Sequence, residues 1–365
     1  MARKCTATIN LSAIKKNYLY VKSLAPKSKV IAVVKANGYG HGAIRVASVL
    51  EGYADILGVA CIEEAIELRE SEINKIPILL MEGMFEESEL ALIDKHNLIP
   101  TICNSLQLKW ILNCHKFIKP VDVFIKYDSG MGRLGFQDDE FISAINSLEQ
   151  SKNINNITMM THFSDADNLE SDSTLAQIKD FENIANARKY DSSLANSAGV
   201  MEWSKSHKDY VRPGIMLYGS SPFSNKPHIN KLSPVMSLSS PLTSIKNFKA
   251  GQSIGYGNRY ICKNDMKIGV VAIGYGDGYP RHAKKGTPVA IDGHLSSLVG
   301  RVSMDMLYVD ITKIPSADIG SKIELWGEQI FVDSVAQFSG TVGYELICAI
   351  SASQRVPLRN INAQK

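Results

Sequence analysis

Apolar residues in the first two-thirds of the chain fall alternately into short continuous runs and into runs spaced three and four apart. The continuous runs are V-I-A-V-V-K (30–35), A-D-I-L-G-V-A (54–60), I-P-I-L-L-M (76–81), L-I-P-T-I-C (98–103), V-D-V-F-I-K-Y-D (121–128), I-T-M-M-T-H-F (157–163), S-S-L-A-N (192–196) and V-R-P-G-I-M-L-Y-G (211–219). Runs of this kind suit strands buried on both faces, as in a parallel sheet. Between them lie helix-period segments such as A-I-R-V-A-S-V-L, I-E-E-A-I-E-L-R-E and T-L-A-Q-I-K-D-F-E-N-I-A-N-A-R. Eight strand–helix units in succession predict a closed (β/α)8 barrel. An open doubly wound sheet is the alternative, and it usually has fewer strands.

The helical pattern thins after about residue 230, where S-P-V-M-S-L-S-S-P-L-T-S-I begins a region of short strands with turn signals. One helix, V-D-S-V-A-Q-F, is read near its end. The fold class is therefore α/β followed by β: an N-terminal TIM-like barrel and a mostly-β C-terminal domain. The expected boundaries are an N-terminal strand at 1–10 packing with the C-terminal domain, the barrel at 11–232 and the β domain at 233–365.

Composition narrows the function classes. The chain has 365 residues, 45% hydrophobic and 21% charged, with a formal charge of +3 and no long basic run. Nucleic-acid binding has no electrostatic support. No stretch reaches the roughly 18 apolar residues of a membrane span. The opening M-A-R-K-C-T-A-T-I-N lacks the apolar core of a secretory signal, so a cytoplasmic protein is expected. Six cysteines, Cys5, Cys61, Cys103, Cys114, Cys262 and Cys348, show no paired spacing, which fits reduced thiols. No metal-ligand spacing is read.

Polar residues gather at the carboxyl ends of the predicted strands, where a barrel carries its chemistry. Lys35 ends the first run and meets a loop of Asn37, Gly38, Tyr39, Gly40, His41 and Gly42. The glycines allow close backbone approach to a ligand, and the following helix offers N-terminal N–H groups to an anion. A lysine beside such a loop suggests a Schiff base to a phosphorylated aldehyde, or a nucleotide site. The G-x-x-x-x-G-K-[ST] order of a P-loop is absent. Lys126, Asp128 and Arg133 lie at and after the end of the fifth run, His162 ends the sixth, Asn196 and Ser197 lie at and after the end of the seventh, and Arg212 and Gly214 lie in the eighth. Each alone fits a structural role; their joint placement points to a site.

The motifs A-V-V-K-A-N-G-Y-G-H-G, D-S-G-M-G-R-L-G-F, T-H-F-S-D-A-D, N-S-A, V-R-P-G-I-M-L-Y-G, G-Y-G-N-R-Y, I-G-Y-G-D-G-Y-P-R and V-G-R-V-S-M-D span nearly the whole chain. In this order they resemble the alanine racemases, which are pyridoxal-phosphate enzymes with an α/β barrel and a C-terminal β domain. The resemblance implies that Lys35 bonds covalently to pyridoxal 5'-phosphate. It implies that Tyr39, Ser197 and the backbone of Gly214 and Ile215 hold the phosphate. Arg212 would face the pyridine nitrogen. An arginine keeps its proton, which leaves the ring a weaker electron sink and disfavours transamination. Most pyridoxal enzymes place a carboxylate there.

Racemisation needs a proton carrier on each face of the α-carbon. The resemblance implies Lys35 on one face and Tyr256, supplied by the other subunit of a homodimer, on the opposite face. A phenolate needs stabilisation at neutral pH, and His162 and Arg212 are its expected neighbours. Arg133 would reach the cofactor's phenolic oxygen and the substrate carboxylate, which suits a planar bidentate donor. Lys126 matches a lysine carbamylated in some members, which would orient Arg133; a lysine paired with a carboxylate is the alternative. The Met304 N–H would bind the substrate carboxylate beside Asp305, and Tyr275 would narrow the entrance.

The chain departs from the pattern near its end. I-S-A-S-Q-R-V-P lacks a tyrosine that some members carry before R-V-P, leaving Ser351, Ser353 or Gln354 in its place. Ser303 stands where many members have cysteine. The resemblance implies conversion of L-alanine to D-alanine for peptidoglycan. The rivals are a racemase for another amino acid or several, such as serine or lysine, a non-catalytic single-barrel cofactor carrier, and a barrel decarboxylase. The carrier would lack the β domain and Tyr256, and the decarboxylase would carry a carboxylate in place of Arg212.

Overall fold

The computed structural model describes residues 4–115, 117–186, 188–223 and 231–361. By its contacts the chain divides into two units, one of Tyr18–Gly38 with Ala43–Leu217, and one of Met1–Asn17, Tyr39–Gly42 and Tyr218–Lys365. Strand β1 is Thr6–Ile9. Eight strands then alternate with helices: β2 (Lys29–Val33), β3 (Ile56–Val59), β4 (Ile78–Leu80), β5 (Leu98–Ile102), β6 (Val121–Lys126), β7 (Ile154–Met160), β8 (Asp191–Ser193) and β9 (Tyr210–Val211). They form a closed parallel barrel in chain order, sealed where Lys29 and Val30 of β2 pair with Tyr210 and Val211 of β9. The continuous apolar runs end up inside. Val30, Ile31, Ala32 and Val33 are at most 2% exposed, and each large side chain so buried contributes about 1.5–3 kcal/mol. Ile31, Ile56, Leu79, Phe124 and Met160 pack together as one core cluster.

The eighth run is the one most changed from expectation. The strand stops at Val211, and Ile215–Tyr218 is a 3-10 turn. Pro213 has no N–H and a fixed φ, so it leaves the ladder. Its carbonyl still accepts from Val33 N at 3.1 Å, which keeps β2 tied to this segment. The sixth run also ends early, so His162 lies two residues beyond β7.

At the amino ends of the strands a cavity of about 780 Å³ is lined by Lys29, Asp122, Asn156, Tyr190, Asp191 and Tyr210 among others. Its polar groups answer one another. Lys29 Nζ lies 3.7 Å from Asp191 and 3.3 Å from the Tyr210 hydroxyl, Asn156 donates to Asp122, and Tyr190 donates to Glu149. The candidate residues of the barrel lie at the opposite, carboxyl ends of the strands.

The other unit is mostly β. Its strands are β10 (Met236–Phe248), β11 (Ser253–Ile254), β12 (Tyr260–Ile261), β13 (Met266–Val271), β14 (Pro288–Ile291), β15 (His294–Val299), β16 (Leu307–Asp310), β17 (Lys322–Trp326) and β18 (Leu358–Asn360). Antiparallel pairings run from β10 through β13, β16, β15, β14 and β17 back to β10. β1 lies antiparallel against β10 and parallel to β18, so both chain ends enter the same sheet. The expected helix is Val332–Ser339. A second, Gly343–Ala352, follows it and was not foreseen. Its sequence G-Y-E-L-I-C-A-I-S-A carries too few polar residues to show a helical period.

Candidate active site

Lys35 stands two residues past the end of β2, half-buried. The glycine-rich loop after it is a left-handed turn. Ala36 (φ 52, ψ 52), Asn37 (φ 54, ψ 47) and Gly38 (φ 60, ψ 46) are followed by Tyr39 at φ 49. Left-handed backbone costs a non-glycine residue about 1–2 kcal/mol, so the surroundings enforce this turn. Gly38 N donates to Val34 O at 2.8 Å, and Asn37 Oδ1 accepts from Ala43 N at 2.9 Å. That bond occupies the first N–H of the helix Ala43–Leu50.

Inside the barrel unit, Arg212 and His162 share one hydrogen-bond network. The Arg212 guanidinium is 3% exposed. Its Nη1 donates to Ser193 Oγ at 2.8 Å, and its Nη2 donates to Thr161 O at 2.6 Å, Leu194 O at 3.2 Å and His162 Nδ1 at 3.3 Å. Because arginine only donates, Nδ1 of His162 accepts and the ring proton belongs on Nε2. Burial, then the charges of Arg212, Lys126, Arg133 and Lys35, hold His162 well below the usual histidine range, so it is neutral. Burial lowers Arg212 itself to about 10, and it stays charged at neutral pH. Its Nε–H is buried and has no hydrogen-bond partner among the described residues.

Ser197 opens the short helix Ser197–Glu202, and Asn196 caps that helix by accepting from Gly199 N. The Ser197 hydroxyl accepts from Gly214 N at 2.9 Å and from Met216 N at 3.4 Å. The serine and the backbone after Pro213 thus converge, although they come from different βα units. Lys126 ends β6 and is 7% exposed. Burial, with Arg212 and Arg133 adding to it, lowers its ammonium to about 8. Arg133 is exposed on the loop whose Gly130 and Gly132 N–H groups are gathered by the Asp128 carboxylate.

The second unit holds the remaining residues. Tyr39 stacks on Tyr218 with ring centroids 4.8 Å apart. Tyr256 is 71% exposed, between Gly255 and Gly257 at positive φ. It borders a groove of about 1060 Å³ with Tyr275, Arg281, Arg301, Met304 and Asp305. The turn Tyr275–Asp277 runs beside Ser303 and Met304: Tyr275 N donates to Ser303 O at 3.0 Å and Gly276 N to Met304 O at 2.9 Å. The Met304 N–H has no acceptor among the described residues. Arg281 sits 5.6 Å from the Tyr275 ring centroid.

Sequence reasoning gave no role to Arg355, Glu82 or Gln107. Arg355, the first residue of R-V-P, lies 3.3 Å from Asp277 Oδ1 and donates to Asp305 Oδ1 at 2.5 Å, tying the Tyr275 turn to the Met304 segment. Ser353 is used locally, donating to Ile350 O. Glu82 lies 3.5 Å from Lys35 Nζ, and Gln107 holds the loop that carries it. Glu82 follows the third strand run directly, so the strand-end rule that flagged Lys35 also points to it.

The buried, unpartnered Arg212 Nε, the neutral His162 and the Ser197–Gly214 cradle fit a pyridine ring carrying a phosphate. The donors offered are what its ring nitrogen and phosphate oxygens accept.

A family model described as the N-terminal domain of alanine racemase matches residues 9–222, and one described as its C-terminal domain matches residues 235–359. The chain is 45% identical over 356 residues to the alanine racemase of Pseudomonas syringae pv. syringae, covering 97% of this chain and 98% of that protein. It is 44% identical over 356 residues to the catabolic alanine racemase of Pseudomonas putida, with 97% and 98% covered. Among solved structures, the biosynthetic alanine racemase of Pseudomonas aeruginosa has a TM-score of 0.94 at 41% identity, with 99% of this chain and 100% of that chain covered. The alanine racemase of Bartonella henselae with covalently bound pyridoxal phosphate has a TM-score of 0.87 at 28% identity, with 98% and 99% covered.

Proposed function

The chain belongs to the alanine racemase family of pyridoxal-phosphate-dependent amino-acid racemases, and from that premise we propose that it interconverts L-alanine and D-alanine by a two-base mechanism. The observation that carries the reading is the Arg212 Nε–H, buried and unpartnered at the barrel mouth. A buried donor left unmade costs about 1–3 kcal/mol, and a pyridine nitrogen would satisfy it. The barrel domain, 11–232, would hold the cofactor: Lys35 would condense with its aldehyde with loss of water, Arg212 would donate to its pyridine nitrogen with His162 supporting the guanidinium, and Tyr39, Ser197, Gly214 and Ile215 would hold its phosphate. Bound there, pyridoxal phosphate supplies the electron sink that makes the substrate Cα–H acidic.

The protein's own groups do the rest. Arg212 is charged and donates, and it keeps its proton, so the ring nitrogen receives a hydrogen bond rather than a charge. Arg133 and the free Met304 N–H bind the substrate carboxylate, with Asp305 and Arg355 fixing the Met304 segment. Lys35 takes or gives the Cα proton on one face, and the partner subunit's Tyr256 does so on the other. The exposure of Tyr256, 71% in the single chain, supports a homodimer in which it is covered. Tyr275 narrows the entrance. Lys126, lowered to about 8 by burial, has the amine available to add carbon dioxide, and the carbamate formed with loss of one proton would orient Arg133.

The proposed setting is the cytoplasm, and the proposed use of D-alanine is peptidoglycan. No helix among the described residues is long and apolar enough to cross a membrane. The absence of a tyrosine before Arg355 favours a second reading, a racemase that also accepts serine or lysine. The test is incubation with pyridoxal phosphate and single L-amino acids, followed by chiral chromatography. D-alanine alone is expected; comparable D-serine or D-lysine selects the second reading. No D-product from any amino acid would overturn both. Lys35→Ala is expected to abolish covalent cofactor attachment and turnover together.

A further inference from the structure

Gln177 was assigned no part in the reaction above, yet it is a polar side chain on the core face of a helix. The helix Ser173–Ala185 buries Thr174, Gln177, Ile178 and Phe181 along one stripe, the spacing of an amphipathic helix turned toward a core. Gln177 is 5% exposed there. A buried amide is costly unless it is bonded, and both ends of this one are. Its Oε1 accepts from Ser164 N at 3.0 Å and from Ser164 Oγ at 3.1 Å. Its Nε2 donates to His162 O at 3.3 Å and to Ser129 Oγ at 3.3 Å. A glutamine amide has two donor hydrogens and two acceptor lone pairs, so its capacity is filled. The Ser164 N–H can only donate and the His162 carbonyl can only accept, which fixes which way round the amide stands.

The amide joins two parts of the barrel unit that carry different tasks. Thr161 and His162 follow β7 directly, and Arg212 donates to Thr161 O and to His162 Nδ1. Ser129 lies on the loop after β6 that leads to Arg133. That loop holds Gly130 at φ 117, Gly132 at φ 70 and Gly135 at φ 123. Glycine takes such backbone at no steric cost and is as free to leave it, so the loop needs fastening. The Asp128 carboxylate gathers the N–H groups of Gly130 and Gly132 from within. Ser129 reaches out of the loop: its hydroxyl lies 2.7 Å from Thr161 Oγ1 and accepts from Gln177 Nε2. Ser129 and Thr161 are both buried. Arg133 is exposed, yet its charge acts on His162 and Lys126.

We propose that Gln177 is a positioning residue for Arg133: it ties the loop after β6 to the His162 segment after β7, and so holds the guanidinium that receives the substrate carboxylate in register with His162 and Arg212. The tie rests on geometry alone; its consequence for substrate rests on the racemase reading. With the tie cut, the loop samples more conformations and must be ordered again whenever substrate binds. That cost falls on carboxylate binding and not on the proton transfers. KM for alanine should then rise about 3–10-fold with kcat nearly unchanged, as expected for the loss of one or two neutral hydrogen bonds from binding.

The experiment compares cofactor-loaded wild type with Gln177→Met, which keeps the reach of the side chain and removes its bonds, and with Ser129→Ala, which removes only the loop's hydroxyl. Amide hydrogen exchange reads the loop directly. Residues 129–135 are expected to exchange about 3–10-fold faster in both variants, while β6 and β7 keep wild-type protection. Turnover of L-alanine is expected to show the KM rise in both, with the cofactor's absorbance unaltered. The double variant is expected to raise KM by less than the product of the two single effects, because one link is broken twice. Unchanged exchange at 129–135, or faster exchange spread across the whole barrel, would overturn the proposal. A fall in kcat at constant KM would sink it too, since that reports a smaller active fraction and not a misplaced arginine. If Gln177→Met does not fold, Ser129→Ala decides by the same two readouts. Failure of wild type to form any D-product would instead discard the racemase reading, and the exchange arm would still decide the tie.

Discussion

Lys126 shows how burial, aided by neighbouring cations, can prepare a residue for chemistry. Its ammonium is pushed down to about 8, first by burial and then by Arg212 and Arg133, against a usual 10.5. The folded value lies below the unfolded one, so the fold favours the neutral amine. That contribution to stability is complete above pH 10.5 and is lost as pH falls through about 8. At pH 7 the retained charge costs up to about 3 kcal/mol. Lys126→Met, of similar reach and no charge, is therefore expected to be more stable than wild type at pH 7 by roughly 1–3 kcal/mol in bicarbonate-free buffer, read from urea midpoints. The difference is expected to shrink above pH 10. Added bicarbonate should narrow it too, because carbon dioxide bound only by the native amine stabilises the folded state. If bicarbonate leaves the gap unchanged, Lys126 carries no carbamate.

At the scale of elements, the segment after β2 matters most. The residue types of K-A-N-G-Y-G-H-G announce a loop, and the chain instead makes a left-handed turn with three non-glycine residues at positive φ. Asn37 reconciles the turn with the helix that follows. It tolerates this backbone better than other residues, and its side chain caps Ala43 N. Asn37→Ala loses both advantages, with an expected cost of about 2 kcal/mol and weaker cofactor retention on dialysis. Asn37→Asp keeps the acceptor and the backbone tolerance, and is expected to stay within about 0.5 kcal/mol of wild type. Equal destabilisation by the two variants would mean that the capping bond does not hold the turn.

At the scale of the molecule, the proposed proton carriers divide between units: Lys35 belongs to the barrel unit and Tyr256 to the other. A tyrosine that is 71% exposed on one chain completes a site only when something covers it. Mixing Lys35→Ala with Tyr256→Ala tests whether that is a second copy. Each homodimer is dead, and each hybrid dimer holds one intact and one doubly defective site. Random exchange is expected to restore about a quarter of wild-type activity. Absence of rescue after verified subunit exchange would place Tyr256 in the site of its own chain.

The sequence by itself determined the barrel, the β domain and the family, because burial on both faces, helical period and motif order are all written locally along the chain. Lys35, His162, Ser197 and Arg212 were legible for the same reason: strand ends mark where a barrel carries its chemistry. Only the tertiary structure decided which neighbours those residues meet. The Glu82–Lys35 pair, the Arg355 bridge between Asp277 and Asp305, and the convergence of Ser197 on Gly214 join segments 17 to 78 residues apart. Their partners are set by barrel closure and turn packing, which leave no local pattern. The left-handed turn was hidden likewise, since alanine and tyrosine adopt it only where surrounding contacts outweigh their own backbone preference.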